Sequence, residues 1–309
     1  MRDQLLVVTG ASGHIGRRLA EILLEGHRRV RVVARREEPL RRFAGLGAEA
    51  LTGDLNDAAF ARRAFAGAHA AFTMVPPVME GEDLRGAQNR ISQAIAFGLR
   101  EAPVQYVVNL SSIGAEVSYG TGPIAGLHDH EERLDQLDFT HIVHLRPASF
   151  MENHLHAIGA IRQAGVYPST LRGDLPLPMI ATLDIAQEAA RLLAALDFEG
   201  KSTQSLLGAR EYTMQEAARI LGAAIGRPGL PYVQVADEQA RQAMVSQGMP
   251  PHLADAMLEM NRALNVGKIR PEEPRLPDNT TLTTLEDWAP DFADAYRRHE
   301  HEHPRQHPG

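Results

Sequence analysis

The stretch VVTGASGHIGRRLA, residues 7–20, joins an apolar run to an amphipathic segment through glycines at 10, 13 and 16. No other feature of the chain restricts its fold as much. Gly10 suits a tight turn at the end of a buried strand, and Gly13 lets backbone N–H groups come close to a pyrophosphate. Gly16 lets a helix pack directly on the strand, and the N-terminus of that helix adds a partial positive charge. Ser12, His14 and Ile15 stand between the glycines and belong to the same cradle. A glycine triplet alone is a weak signal; it becomes a strong one where strands and helices alternate after it.

That alternation is present. LLVV (5–8), RVRVVA (29–34), AEALTG (48–53), AAFTMV (70–75), QYVVNLS (105–111) and THIVHL (140–145) are short, apolar and rich in β-branched residues. Helix-length segments lie between them, among them GRRLAEILLEG (16–26) and DLRGAQNRISQAIAFGLREA (83–102). Such a pattern predicts an α/β fold, a doubly wound parallel Rossmann sheet covered on both faces. Past LRPASFMEN (145–153) helices dominate, at 183–196, 213–226, 236–248 and 284–299, with strand scraps at STQSLL (202–207) and YVQV (232–235). The expected organisation is a dinucleotide-binding domain over 1–150 and a smaller, mostly helical C-terminal substrate domain over 151–298. The His- and Glu-rich end, 299–309, reads as a flexible tail.

Composition removes whole classes of chemistry. The chain has 309 residues, no cysteine and a formal net charge of −7. Thiolate nucleophiles, disulfides and cysteine-ligated metals are excluded. Nothing in the charge invites nucleic acid or an anionic membrane surface. No stretch approaches the roughly 20 apolar residues of a membrane span, and the first apolar run is too short for a signal peptide, so a cytoplasmic protein is expected. EGKST (199–203) imitates the end of a phosphate loop, but Ala195 stands where the earlier glycine would be, and the segment reads as a turn.

The end of the second strand bears on the cofactor. A dinucleotide without a 2′-phosphate usually meets an Asp or Glu there. Here VVARREEP (32–39) puts Arg35 and Arg36 at that place. A guanidinium binds a 2′-phosphate through charge-assisted, bidentate hydrogen bonds, so NADP(H) is preferred over NAD(H). An arginine pair on a solvated turn, beside Glu37 and Glu38, is the alternative. GDLND (53–57) places Asp54 and Leu55 at the adenine edge, with Asp54 accepting from the amino group; capping of the next helix by Asp54 or Asn56 is a second use of the same residues.

Taken together these residues resemble the atypical short-chain dehydrogenases/reductases, and within them the NmrA-like family. TGASGHIG, Arg35, GDLND, FTMVPP (72–77), VVNLSSIGA (107–115) and LRPASFMEN (145–153) follow the family's order over most of the first half. PMIATLDIAQEAARLL (178–193) matches more loosely. The resemblance implies NADP(H) in the crevice of the sheet and a substrate pocket between two domains. It also implies that Met74, Val75 and Pro76 run along the cofactor, contacting it through backbone, and that Pro147 ends the sixth strand beside it. Phe150 and Met151 then line an apolar slot and Asn153 supplies a hydrogen bond, core packing at a domain junction being the alternative for the first two.

Typical short-chain reductases use a Tyr-x-x-x-Lys pair; this chain has none, a departure that several NmrA-like reductases share. Its only lysines are Lys201 and Lys268, neither expected near the catalytic face. Aligned on the family's pattern, IAGLHDHEERL (124–134) puts Ile124 at the tyrosine position and His128 at the lysine position. An imidazole takes either protonation state near neutral pH, so His128 is the candidate group facing the nicotinamide ribose or the substrate oxygen. Ser111 and Ser112, just past the fifth strand, are candidates to orient that oxygen. At about 100° per residue, Leu127, Leu134 and Leu137 are expected on the core face of this helix. His128, Glu132 and Asp135 share one flank, and Asp129 and Arg133 are expected in solvent. The His128–Glu132 spacing suits an orienting hydrogen bond; no metal site is expected, because further ligands are missing.

These readings point to an NADPH-dependent oxidoreductase passing hydride to a quinone-like or conjugated carbonyl substrate, apolar or aromatic in character. The alternative is a non-catalytic NADP(H) sensor with a regulatory protein partner. A nucleotide-sugar epimerase or dehydratase is disfavoured by the missing Tyr–Lys pair and by Arg35. A homodimer is compatible with all three.

Overall fold

The computed structural model describes residues 3–79 and 81–302. From the glycine turn onward, strand and helix alternate as the hydrophobic pattern requires. β1 (Leu5–Thr9), α1 (His14–Glu25), β2 (Arg29–Ala34), α2 (Arg41–Ala44), β3 (Glu49–Thr52), α3 (Ala58–Phe65) and β4 (Ala70–Met74) come first. α4 (Leu84–Glu101), β5 (Tyr106–Leu110), α5 (Ile124–Asp135) and β6 (His141–Pro147) complete the run. After β7 (Ser149–Phe150), a 3₁₀ turn Met151–Ala157, α6 (Ile158–Ala164), β8 (Tyr167–Ser169) and β9 (Leu177–Ile180) leave the sheet. α7 (Thr182–Ala195) and β10 (Lys201–Leu206) return to it. The rest is β11 (Glu211–Tyr212), α8 (Met214–Ala224), β12 (Tyr232–Gln234), α9 (Asp237–Ser246), α10 (Pro251–Asn265) and α11 (Leu285–Glu302).

The main sheet has seven strands in the order β10-β6-β5-β4-β1-β2-β3, every pairing parallel. Each side of it buries an apolar layer, as a parallel sheet must. Leu19, Leu23, Ile185 and Ala189 of α1 and α7 pack with Val8, Val32, Phe72 and Val108. Phe60, Phe65, Ile95, Leu99 and Leu134 of α3, α4 and α5 pack with Val7, Ala71, Val107 and Ile142. A third core, around Met151, Tyr167, Met179, Tyr212, Trp288 and Phe292, belongs to the cap. Strand order reverses between β1 and β4, and that reversal opens a crevice at the carboxyl edge of the sheet.

Three expectations change. The scrap at 202–207 is not a cap element; it is β10, parallel to β6 from Lys201↔Ile142 to Leu206↔Pro147. With α7, it makes residues 182–206 part of the sheet layers, so the chain crosses into the cap after β6 and comes back. α10 was not anticipated, because its hydrophobic residues leave only Ala254, Leu258 and Ala263 fully buried. α11 continues through 299–302, where a tail was expected, and the remainder of that tail, 303–309, lies outside the described residues. Among the described residues no helix is long and apolar enough to cross a membrane.

Candidate cofactor and catalytic site

The glycine turn has the geometry its sequence implies. Gly10 sits at φ +65°, and a Cβ there would stand 2.5 Å from Met74 Sδ. A Cβ on Gly16 would lie 2.4 Å from the Gly10 carbonyl oxygen, so only glycine lets α1 start this close to the turn. The Gly13 N–H donates to the Gly10 carbonyl at 2.9 Å, and the first helical bond runs from Arg17 to Gly13. The N–H groups of Ser12, His14, Ile15 and Gly16 therefore find no protein acceptor among the described residues. Ser12, Gly13 and His14 are exposed, and no acidic side chain occupies the first turn of α1. Several donors at a helix N-terminus, with no carboxylate nearby on the helix, fit a pyrophosphate.

Arg35 and Arg36 follow β2 directly, are exposed, and make no side-chain ion pair or hydrogen bond among the described residues. Glu37, the nearest competing carboxylate in sequence, pairs instead with Arg41 at 3.5 Å. Arg17, in the first turn of α1, is also exposed and unpaired among the described residues. Asp54 accepts from the Asn56 N–H at 2.9 Å, forming a local turn, while Asp57 caps α3 through Ala59. The cap was expected at Asp54 or Asn56 and falls one residue past the latter. Leu55 is buried beneath this turn. Val75 is buried while Met74 and Pro76 are half-buried, and Pro147 closes β6 with its carbonyl taken by the Ile113 N–H at 3.1 Å.

His128 lies on α5 and is held from two sides. Its Nδ1 is 2.7 Å from the Ala115 carbonyl, which only accepts, so Nδ1 carries the proton. Nε2 is left facing Glu132 at 3.4 Å. Ser111 is 4% exposed and its hydroxyl has no partner among the described residues, an orphaned buried group beside the crevice strands. Ser112 Oγ is engaged, donating to the Ile113 carbonyl at 2.9 Å.

The outward faces of α5 differ from the expected ones. His130 and Glu131 join Ile124 and Leu134 on the buried face, and Leu127 is only half-buried. Asp129 and Arg133 meet α4 instead of solvent. Asp129 takes a bidentate bond from Arg85, at 2.8 and 2.7 Å, and a third from Asn89. Arg133 reaches Ser92 and Asn89. A wheel drawn for one isolated helix cannot see this second helix. Arg85 holds the Asp129 carboxyl below the ordinary range. Although His128, Asp129 and Glu132 lie close together, Asp129 is saturated by cationic and amide donors and makes a poor metal ligand.

The profile of the NmrA-like family matches residues 2–289. The chain belongs to the NmrA-like family. It is 28% identical over 294 residues, 94% of this chain and 99% of the relative, to a (4-alkanoyl-5-oxo-2,5-dihydrofuran-3-yl)methyl phosphate reductase of Streptomyces griseus. It is 28% identical over 258 residues, 83% and 86% of the two chains, to an NAD(P)H azoreductase of Xenophilus azovorans. Among solved structures it resembles an NADPH-dependent quinone oxidoreductase of Escherichia coli complexed with NADPH, with a TM-score of 0.79 at 21% identity, covering 93% of this chain and 98% of that one.

Met151, expected in a pocket wall, has no exposed surface and belongs to the cap core; Phe150 is half-buried against the sheet core and Asn153 is exposed. Packing at the junction therefore accounts for Met151. Lys201, as expected, is remote from the crevice, donating to the Leu137 and Thr140 carbonyls. Lys268 lies against the loop between β5 and α5, its ammonium 4.2 Å from the ring centre of the exposed Tyr119. Sequence distance hid that contact, since Lys268 arrives from the end of α10.

Proposed function

We propose that the chain is an NADPH-dependent oxidoreductase that passes hydride to a quinone-like or conjugated carbonyl acceptor. The observation that carries the reading is the cradle of unpaired N–H groups at the Gly10–Gly16 turn next to two arginines free of carboxylates. The names of the two curated relatives, both reductases, support the class of reaction. Bound NADPH supplies the hydride. The turn amides hold its pyrophosphate, and Arg35 with Arg36 holds the 2′-phosphate. Met74, Val75, Pro76 and Pro147 border the crevice, and Phe150 and Asn153 stand where the chain enters the cap.

A quinone or extended enone delocalises the charge it receives, so a strong general acid is not required and a Tyr–Lys pair is dispensable. His128, with Nδ1 fixed on Ala115, presents Nε2 as the ring atom that exchanges a proton, and the orphaned Ser111 hydroxyl orients an acceptor oxygen. The test is parallel titration with NADPH and NADH, followed by turnover with a panel of quinones, dyes and enones. We expect tighter NADPH binding, lost to the level of NADH in Arg35→Ala, and slowed turnover in His128→Ala. Equal binding of both dinucleotides by the wild type refutes the role of the arginines. Binding without turnover on any acceptor favours the sensor reading instead.

A further inference from the structure

The penultimate residue of β6 is a buried arginine, Arg146, and three carboxylates from three separate parts of the chain converge on it. Glu131 on α5 takes Nε and NH2 in a fork, at 3.0 and 2.6 Å. Glu116, in the loop after β5, meets NH1 at 3.4 Å. Glu272, in the segment that follows α10, meets the same NH1. Arg146 is 8% exposed and Glu131 6% exposed, so their fork is a built contact, while Glu272 closes the cluster from a half-exposed position.

We propose that Arg146 is a positioning residue for His128. Its guanidinium fixes α5, the loop after β5 and the cap segment in one arrangement, the one in which the Ala115 carbonyl meets the His128 ring. This inference rests on the reading of His128 given above. The geometry is direct. Glu131 and His128 are on the same helix, three residues apart, and Glu116 adjoins Ala115. The two ends of the His128–Ala115 hydrogen bond are thus each tied, through a neighbouring carboxylate, to one rigid cation.

The cap participates through Glu272 and through packing. A Cβ on Gly114 would lie 2.9 Å from Ile269, and one on Gly122 would lie 2.0 Å from the Ala256 carbonyl oxygen. The loop that carries Ala115 is therefore pressed between α5 and the end of the cap. Burial, with the negative charge of Glu272 beside it, pushes the Glu116 carboxyl above the ordinary range. The site holds more carboxylates than a single cation neutralises, and a fork of five donors satisfies this set where a point charge does not.

The experiment uses the full-length protein and reads the His128 ring by ¹⁵N NMR, assigned by its loss in His128→Ala, beside steady-state turnover. In the wild type we expect the Nδ1-protonated tautomer, with Nδ1–H on the Ala115 carbonyl. Arg146→Lys keeps the charge and removes the fork; we expect a mixed tautomer, kcat lower by ~10-fold or more, and NADPH affinity within ~2-fold of wild type. If Arg146→Lys does not fold, Glu116→Gln combined with Glu272→Gln replaces it, with the same tautomer change expected. A wild-type tautomer and wild-type kcat in either folded protein overturn the proposal, because a charge-balancing role alone is rescued by lysine. Should His128→Ala keep full turnover, the catalytic reading of His128 falls, while the tautomer still decides whether Arg146 positions the ring.

Discussion

His130 and His154 are two of the imidazoles that the fold buries, one on the inner face of α5 and one in the cap core. His130 is 0% exposed with Nδ1 2.7 Å from Ser92 Oγ, and His154 is 4% exposed with Nδ1 2.6 Å from the Tyr167 hydroxyl. Burial pushes them down to about 3 and about 4, with the His144 and Arg133 charges adding to the effect at His130. In the unfolded chain both titrate near 6.5. Between the folded and unfolded values the unfolded state binds more protons, so stability is full above the unfolded pKa and falls as pH drops through that window. Each ring contributes up to about 1.4 kcal/mol per pH unit. Urea unfolding should therefore show stability falling from pH 7 to pH 5, with the slope reduced in His130→Gln and again in the double variant with His154→Gln. Unchanged slopes in both variants would show that neither ring is held neutral.

Residues also differ in how much of their role is local, and that decides what a sequence can tell. Gly10 and Gly16 were legible because their constraint is backbone geometry within seven residues: a positive φ at one, a 2.4 Å approach at the other. The unpaired state of Arg35 was partly legible, since it needed Glu37 to choose Arg41. His128 could be singled out in the sequence as the candidate aligned on the lysine position, but its orientation could not be read. That depends on the Ala115 carbonyl, which is placed by a loop wedged against Ile269 and Ala256, more than 130 residues downstream. Arg146 gave no signal at all, because its three partners are scattered from 116 to 272.

Among the elements, β1, β2, β4, β5 and β6 were readable because each is short, mostly apolar and largely buried, as strands covered on both faces are. β10 was not. In KSTQSL only the last two residues are buried, and what holds it to β6 is an edge ladder of backbone hydrogen bonds that any side chains allow. The helix that leads into it, α7, has no capping side chain of its own at Ala181. Glu152, from the 3₁₀ turn after β7, supplies one from a distance: it accepts from the Thr182 N–H at 3.1 Å and from the Thr182 hydroxyl at 2.6 Å. One carboxylate thus joins the chain entering the cap to the helix that returns from it. Glu152→Ala should cost about 1–2 kcal/mol, the range for losing a helix cap or a charged hydrogen bond. A urea midpoint equal to that of wild type would mean that Thr182 finds another acceptor.

For the molecule as a whole, the formal charge of −7 opposes a polyanionic cofactor, and the arrangement of arginines decides whether binding overcomes that. About half of the described arginines outside the crevice pair with carboxylates, such as Arg29 and Arg31 on Glu49, Arg191 on Glu188, and Arg241 on Asp255. Arg17, Arg35 and Arg36 make no such pair among the described residues. Two electrostatic contributions then act on the cofactor with opposite sign. The long-range repulsion from the whole chain is screened beyond about 10 Å at 0.1 M salt. The attraction of a 2′-phosphate to exposed guanidinium groups is a contact interaction, weakened by salt because salt competes for both partners. NADH lacks the 2′-phosphate and experiences chiefly the amide cradle and the background repulsion. NADPH affinity should therefore fall more steeply than NADH affinity between low and high salt, measured by calorimetry with chloride as the varied ion. In Arg35→Ala the two salt slopes should converge, while the absolute NADH affinity stays within about 2-fold of wild type because its amide donors are untouched. Parallel slopes in the wild type would place the 2′-phosphate away from the arginines. A slope for NADPH that persists undiminished in Arg35→Ala would pass the role to Arg36 or Arg17, and the same titration on those variants separates the two.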